Sequence, residues 1–545
     1  MASPALIPAL PPTLSEPGGE LPVDSADEFS ESDDCDDFHD NDDWDGQPWE
    51  VEFPSDSPLL TTSYESFDRL LDVLNAAPLM AAAPRQNIKK SKKGYLTSEG
   101  TGKDRETDST IVLLLFLPRT LPEMSACLPK PKFIYEDALE VSDERDGTPA
   151  LRLQTVPQQY GFTAGKMPLI ALDVWNKQDV SQSNDASPTG YPEIEFSFRQ
   201  LSSDQRPILS FARRPADITL QAGSIAAVLG PDDELLHLPH LIDPEDHYEV
   251  LSKRGLALSG LPTPESIIID TNLQPGPQVD EPVLQSEVTR MIKSIEEIQR
   301  PYIIKLQQSA ASKGAFKVQT SSDLESIRKL LNLKLKGMLL RVNETNSHLR
   351  SCSLIVQELV QGHAVALSLF ITKTGRAIFI ACCEQIFNQK GHWVGASISY
   401  KSQVFLRQRY ADTADRIARF LHQKGYYGPT GADVMTDQSG RQLIVDLNVR
   451  ITTSFHLGPL AGHFTQRGCF NGMALRRYFH CPRDTFELAF ENELGSGILI
   501  ITAWAYNELE GLNYAAIIFG AKDSAELDGF AKRVDCFAAA QSGTR

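Results

Sequence analysis

No stretch of this 545-residue chain approaches the length of a membrane helix. The apolar run "IVLLLFL", Ile111 to Leu117, is only strand length and meets Pro118. The first residues lack the basic segment of a secretory signal. Cysteine is sparse: eight residues are scattered without a C-x-x-C pair, and the neighbours Cys382 and Cys383 would face opposite sides of a strand. These features predict reduced thiols, mostly core filler, in a cytoplasmic protein. No internal repeat is present, and the phosphate-loop pattern G-x-x-x-x-G-K-[ST] is missing. Positive charge is also short. Residues 1–83 carry twenty Asp and Glu against the single basic residue Arg69, a net of −19 out of −20 for the whole chain. The rest is near neutrality, which argues against a nucleic-acid footprint and assigns the acidity to a tail.

That tail reads "SADEFSESDDCDDFHDNDDWDG". Low hydrophobicity and like charge cannot offset chain entropy, so disorder is expected. Within it, Tyr64, Phe67, Leu70, Leu71 and Leu74 have helical spacing, predicting a short helix at 64–77 that docks or remains transient. A basic, glycine-containing linker follows at 84–108. The length allows roughly two to four domains. Strand-like runs between Pro-rich loops over 109–242 predict an irregular α/β domain. The texture changes at about Asp243, and two further segments are expected, 243–356 and 357–545.

In the first of these, Pro244 with Glu245 and Asp246 marks a helix start, and Gly260 and Pro262 a stop. "SEVTRMIKSIEEIQ" is amphipathic, with Val288, Met291, Ile292, Ile295 and Ile298 on one stripe. "PYIIKLQ" is a strand with Lys305 near its end, followed by a small-residue loop. In the second, "HAVALSLFIT" and "RAIFIACCEQIF" form a hairpin about Thr374-Gly375. "TADRIARFLHQKG" is a helix with Ile417, Phe420 and Leu421 inward. "GADVMTDQSGRQLIVDLNVR" is a hairpin turning at Asp437–Gly440.

The chemistry concentrates in three places. "LIVDLNVR" puts Ile444, Asp446, Asn448 and Arg450 on one strand face and Val445, Leu447 and Val449 on the other. A plain surface strand with a wet face would give this pattern. So would a site for a hard cation, which takes carboxylate and amide oxygens, beside a guanidinium that grips phosphate. The hairpin turn brings Asp433 opposite Asp446, a repulsive pair unless a cation lies between them. Lys305 can reach phosphate oxygens as a mobile point charge. The loop after it can bring backbone N–H groups to phosphates. "VQELVQG" offers backbone groups and Glu358 to an adenine edge and a ribose hydroxyl.

Taken in order, these segments resemble the ATP-grasp superfamily from about Asp243 to Phe464. "SKRGLALSGLPTP" resembles the motif whose lysine, here Lys253, contacts nucleotide phosphate. "YIIKL" resembles the second lysine strand, "QELVQG" the hinge that holds adenine, and "GADVMTD…VDLNVR" the metal hairpin. Two departures stand out. Asp446 replaces the more frequent Glu, and "SAASKGAF" has one glycine where many members have several. Within the superfamily, "LSKRGLALSGLPTP", "GHWVGASISY" and "DLNVRITTSFHLGPLAGHF" resemble a fungal group of solid-state-culture-specific ATP-grasp proteins. Some of these are encoded with secondary-metabolite pathways, including fumisoquin-type alkaloids.

The resemblance implies an α/β fold of two lobes behind an N-terminal pre-ATP-grasp α/β domain. It implies an ATP-dependent carboxylate–amine ligase working through an acyl phosphate, with ATP and Mg²⁺ (or Mn²⁺). Asp433, Asp446 and Asn448 would hold metal. Lys253, Lys305, Ser309, Ser312, Gly314, Gln357, Glu358 and Val360 would hold ATP. Lys305 and Arg450 would be catalytic, with Glu384 and His456 as candidates for the acceptor pocket. A solvated strand-end Glu and an ordinary loop His are the bland readings of those two. Expected partners are small-molecule carboxylates and amines, with a pathway enzyme or carrier domain as a further candidate, and neither nucleic acid nor membrane. An acyl-thioester ligase and a non-catalytic ATP-binding protein are the competing classes.

Overall fold

The computed structural model describes residues 110–114, 130–135, 148–172, 191–203, 205–276, 280–309, 314–388, 393–507 and 511–542. The tail and linker, the helix expected at 64–77 and Ser312 lie outside the described residues. Three sheets carry the fold, so the expected α/β class holds.

The first sheet is parallel, in the order β3-β2-β1-β4: β1 (Thr110–Leu114), β2 (Pro168–Leu172), β3 (Ile208–Ala212) and β4 (Ser224–Val228). Parallel strands are covered on both faces, which explains the unbroken apolar run in β1. Ile111 and Leu113 enter one core cluster, Val112 and Leu114 another. Helix α1 (Thr148–Gly161) contributes Val156 and Tyr160 to the first cluster, and α2 (Tyr191–Arg199) contributes Ile194 and Phe198.

Asp243 caps α3 (Pro244–Leu251), accepting from the N–H groups of Glu245 and Asp246, as the Pro-Glu-Asp start predicts. The expected continuous helix is broken at Ser252. Its backbone is extended, and its hydroxyl accepts from Gly255 N at 2.7 Å to cap α4 (Lys253–Leu258). A serine that competes for backbone N–H groups ends one helix and starts the next. The break puts Lys253 at the first position of α4.

The second sheet is antiparallel, in the order β5-β8-β6-β7: β5 (Ser266–Asp270), β6 (Tyr302–Leu306), β7 (Ala315–Val318) and β8 (Ser353–Glu358). Helices α5 (Glu281–Glu296) and α6 (Ser321–Arg341) share its core with Tyr302, Ile304 and Leu306. The expected stripe of α5 is buried at Val288, Met291, Ile292 and Ile295, with Ile298 half-buried just beyond the helix. Alternation then turns Lys305 away from that core.

The third sheet has eight antiparallel strands, ordered β13-β12-β9-β10-β11-β14-β16-β15. They are β9 (Gly362–Ile371), β10 (Ala377–Phe387), β11 (Trp393–Ser399), β12 (Gly428–Asp437), β13 (Gln442–Asn448), β14 (Asn471–Phe479), β15 (Leu499–Asn507) and β16 (Leu512–Ala521). Both expected hairpins form, with Gly375 and Gly440 supplying the left-handed turn residues at φ +75° and +84°. Helices α7 (Gln403–Arg409) and α8 (Ala411–Gln423) lie beside the sheet, and α8 buries Ile417 and Leu421 while Phe420 is half-buried. Cys382 and Cys383 enter different core clusters, on opposite faces as alternation requires. The six cysteines among the described residues are free.

On the Cys383 face a 3-10 turn, Ser454–Leu457, packs over Ala381, Ala396 and Ala474. Helix α1 is anchored to β15 by Gln158, which donates to Trp504 O at 2.8 Å and accepts from Trp504 N at 2.9 Å. Among the described residues no helix is long and apolar enough to cross a membrane.

Candidate active site

The polar edge of the third sheet is built by the β12–β13 hairpin. Asp433 pairs with Asp446, as expected, and Gly431 with Asn448, but Val434 pairs with Ile444. Val445 is therefore an extra residue, a bulge. Ile444 consequently does not share the face of Asp446. It is fully buried with Leu447 and Val449, while Val445 is only half-buried. The bulge swaps those two residues relative to strict alternation.

Two lysines from the preceding part of the chain converge on this edge. Lys253, at the start of α4, is ion-paired with Asp446 Oδ1, the two side chains being 12% and 27% exposed. Lys305, buried at 8% exposure, donates from Nζ to the carbonyl of the bulged Val445 at 2.6 Å. Burial pushes the Lys305 ammonium down to about 8, against the pull of Asp446. Burial also pushes Asp446 upward, but Lys253 and Lys305 outweigh it and hold that carboxyl below its usual range. Asp433 is raised, by burial first and then by the charge of Asp446, with a hydrogen bond from Gln385 working the other way.

Asn448 Oδ1 accepts from Arg450 Nη2 at 3.2 Å. Arg450 follows the end of β13 and lines a cavity of about 30 Å³ with Leu113, His247, Tyr426 and Ile451. That space suits a water or two, each needing roughly 10–15 Å³ by this measure, and is too small for a substrate. Among the described residues no group of three or more His, Cys, Asp or Glu could hold a metal. The expected set has two carboxylates and one amide, donors that fit a hard cation completed by phosphate and water oxygens. Here Lys253 engages Asp446 Oδ1 and Arg450 donates to Asn448 Oδ1.

The loop expected to cover phosphate closes the β6–β7 hairpin. Leu306 N donates to Gly314 O at 2.8 Å. A Cβ on Gly314 would lie 2.3 Å from Ser309 Cβ, so glycine is required by close approach. Lys253 N donates to Gln307 O at 2.9 Å, tying α4 to the same loop. The expected hinge is the direct link from β8 to β9, residues 359–361, and it joins the second sheet to the third. Gln357 is buried, with Nε2 donating to Ser266 Oγ at 3.2 Å; Glu358 is exposed, and Val360 is half-buried in the link.

The two candidates for the acceptor pocket do not join the carboxylate cluster. Glu384 lies on the sheet face opposite Asp433, because Cys383 is the residue aligned with Ala366 and Asp433. It is 54% exposed and pairs with His363 at 3.0 Å. Its neighbour Gln385 faces the carboxylates instead, and period-two alternation along "CCEQIF" could have found it. His456 is fully buried, its Nδ1 3.0 Å from Thr163 Oγ1 and its ring stacked with Tyr160. Burial, then Arg476, pushes it down to about 3, so it is neutral and cannot serve as an exposed acid or base. Tyr160 and Arg476, which flank it, were not singled out from sequence. A charged "RR" inside an otherwise apolar strand was the available signal.

Residues 275–454 match the family described as the ATP-grasp domain. The matched stretch holds Lys305, the hinge, Asp433, Asp446, Asn448 and Arg450. No curated protein matches this sequence. Among solved structures, N5-carboxyaminoimidazole synthetase from Staphylococcus aureus complexed with ADP is similar at 11% identity and a TM-score of 0.43, over 69% of this chain and 94% of that one. Carboxyaminoimidazole ribonucleotide synthase from Aspergillus clavatus complexed with ATP gives 12% and 0.40, over 69% and 93%. L-amino acid ligase from Bacillus licheniformis gives 9% and 0.39, over 78% and 96%. At these values the likenesses say nothing about substrate or mechanism. The chain contains an ATP-grasp domain, within a mixed α/β ATP-grasp fold.

Proposed function

We propose that the chain is an ATP-dependent carboxylate–amine ligase. The observation that carries this reading is the convergence of Lys253 and Lys305 on the paired carboxylates Asp433 and Asp446, beside the hinge between two sheets. Phosphoryl transfer asks the protein for position and charge rather than a nucleophile. In the proposed sequence a carboxylate oxygen attacks the γ-phosphorus, and the bond to ADP breaks. An amine nitrogen then attacks the acyl carbon of the acyl phosphate, and inorganic phosphate leaves.

Lys305 and Lys253 would neutralise the phosphates, exchanging the Val445 carbonyl and Asp446 for phosphate oxygens. Gly314 and Ser309 would let the loop approach, and residues 357–360 would hold the base and ribose. Arg450 would steady the transferring group. Asp433, Asp446 and Asn448 would hold Mg²⁺ or Mn²⁺, which when bound supplies charge neutralisation at the phosphates. On the sequence resemblance alone, we place the reaction in the cytoplasm and in fungal secondary metabolism of the fumisoquin type, acting on amino-acid-like substrates, with a pathway enzyme or carrier domain as a candidate partner.

The test is to incubate the protein with ATP, Mg²⁺ and pools of amino acids and read ADP release and product mass. Hydroxylamine present in the reaction should trap a hydroxamate. Substrate-independent retention of ATP, with no ADP and no hydroxamate, would replace the ligase by a nucleotide-binding protein. A thioester product would change only the acceptor.

A further inference from the structure

Helix α6 is apolar on both sides. Leu324, Leu331, Leu335, Met338 and Leu339 are buried in the core it shares with the second sheet. On the opposite stripe Leu333 is 69% exposed and Leu340 59%. These two are seven residues apart and share one face. Gly337 lies between them, and a Cβ added there would meet nothing within 4 Å. A single exposed leucine is ordinary. Two of them about a glycine form a shallow apolar seat, on a helix side that is normally polar when it faces water.

The seat is set among cations. Residues 321–341 carry Arg328, Lys329, Lys334, Lys336 and Arg341 against Asp323 and Glu325, a net of +3. Lys329 and Lys336 each stand four residues ahead of one of the two leucines, on the same stripe. Residues 64–77, which lie outside the described residues, carry the converse. Tyr64, Phe67, Leu70, Leu71 and Leu74 have helical spacing, and Glu65, Asp68 and Asp72 stand against Arg69, a net of −2.

Reach does not forbid a meeting. Residues 78–109 join that segment to β1, and thirty-two residues span up to about 110 Å. The 436 residues from Thr110 onward would have a radius of gyration of about 22 Å when folded. The chain also comes to α6 soon after β1. At the C-terminal end of the helix, Asn343 Nδ2 donates to Pro131 O at 2.8 Å and Arg341 Nη1 to Tyr135 O at 3.3 Å. A second copy of the chain suits the seat less well. Stable interfaces bury about 1,200–2,000 Å², and two leucines and a glycine per copy offer little of that. A tethered segment needs less area, because its docking is intramolecular.

We propose that the outer face of α6 is the docking site for residues 64–77 of the same chain. The segment lies along α6 as a helix, with its apolar stripe on Leu333, Gly337 and Leu340 and its acidic edge toward Lys329 and Lys336. Lys305 is turned away from the core that α6 covers, so the docked segment sits behind the lysine's sheet and leaves the cleft open. The inference does not depend on the ligase reading.

The experiment is photo-crosslinking of the full chain carrying p-benzoylphenylalanine in place of Phe67 or, separately, Leu74. A mixture of ¹⁴N and ¹⁵N chains is irradiated, and the captured peptides are identified by mass spectrometry. Capture should fall on residues 326–341 and should join peptides of one isotope, as a contact within one chain requires. The double variant Leu333→Ser, Leu340→Ser should reduce that capture about tenfold or more, since each leucine loses most of its burial. Both positions are exposed, so the variant should melt with the parent and bind Mg·ATP as the parent does. Capture elsewhere on the body, or none from either position, overturns the proposal without any variant having to fold. Capture between isotopes overturns it in favour of a second copy. Undiminished capture in the double variant also overturns it, because the segment would then rest on something other than this seat.

Discussion

Asp433 and Asp446 face each other across β12 and β13, yet among the described residues only Asp446 touches a cation, the Nζ of Lys253. The two carboxyls are displaced in opposite directions, Asp433 up and Asp446 down. Without nucleotide, Asp446 is a structural anion for two lysines, whereas charged Asp433 is a burden.

Asp433→Asn should therefore leave the nucleotide-free melting temperature unchanged or higher, since the raised group costs stability once ionised. Asp446→Asn should cost about 2 kcal/mol by stripping charge-assisted contacts from the lysines. Both should lose most of the stabilisation conferred by Mg·ATP, because ligand stabilisation follows affinity. Melts with and without Mg·ATP check this. A variant stabilised as strongly as the parent removes that residue from the nucleotide site.

The neighbours Glu384 and Gln385 should behave as different kinds of residue. Glu384→Gln should leave Mg·ATP affinity untouched and lower the His363 pKa, which the hydrogen bond that His363 donates to the Glu384 carboxylate raises. Gln385→Met removes a donor from Asp433, so affinity should fall and its pH profile should move upward. NMR titration of His363 and nucleotide binding between about pH 6 and 8 separate the two. Equal effects on affinity would mean that the strand presents both side chains to one site.

Lys305→Met should keep the fold and weaken Mg·ATP binding by about tenfold or more, roughly 1.4 kcal/mol. The sign of its pH dependence is informative. With a folded pKa of about 8, below that of the unfolded chain, the unfolded state binds the proton more tightly. The burial cost is full below about 8 and is relieved as pH rises toward the unfolded value. Relative to Lys305→Met, the parent should gain about 2 kcal/mol between about pH 7 and pH 10. Urea unfolding of both proteins at the two pH values measures it, and parallel profiles would show that Lys305 is solvated.

His247 is buried, and its Nε2 lies 2.9 Å from Val449 O, just past the end of the β12–β13 hairpin. Burial pushes it down to about 4 from an ordinary 6.5. Stability supported by the neutral ring is complete above the ordinary value and is lost as pH falls toward about 4. At about pH 5 the loss should be about 2 kcal/mol. His247→Gln should move acid unfolding to lower pH. No movement would mean that acid unfolding is set elsewhere.

What the sequence made legible was the part governed by short-range rules. Cap residues announced α3, a stripe announced α5, glycine turns set both hairpins, and alternation aligned Asp433 with Asp446. It misled where one residue overrode a rule: the Ser252 hydroxyl that divided a helix, and the extra Val445 that exchanged Ile444 for itself on the sheet face. Glu384 was chosen over Gln385 because charge drew attention where strand phase should have decided. Arg476 and Tyr160 could not be paired at all. They meet only because Gln158 pins α1 against β15 and carries Gln159 and Tyr160 over a strand more than 300 residues later.

The sheet does not need Val445. A chain without it could pair Val434 with Ile444 and Asp433 with Asp446 as an unbroken ladder, with the same side chains inside and out. The insertion instead turns one peptide oxygen out of the ladder to meet the Lys305 ammonium. That oxygen is a place-holder, neutral and easily surrendered, where a carboxylate would compete with an incoming phosphate. Under the proposed function the lysine would be kept occupied until a stronger anion, a phosphate oxygen, takes the place of that carbonyl. Excising Val445 would be the rare deletion that spares the architecture and removes the waiting position.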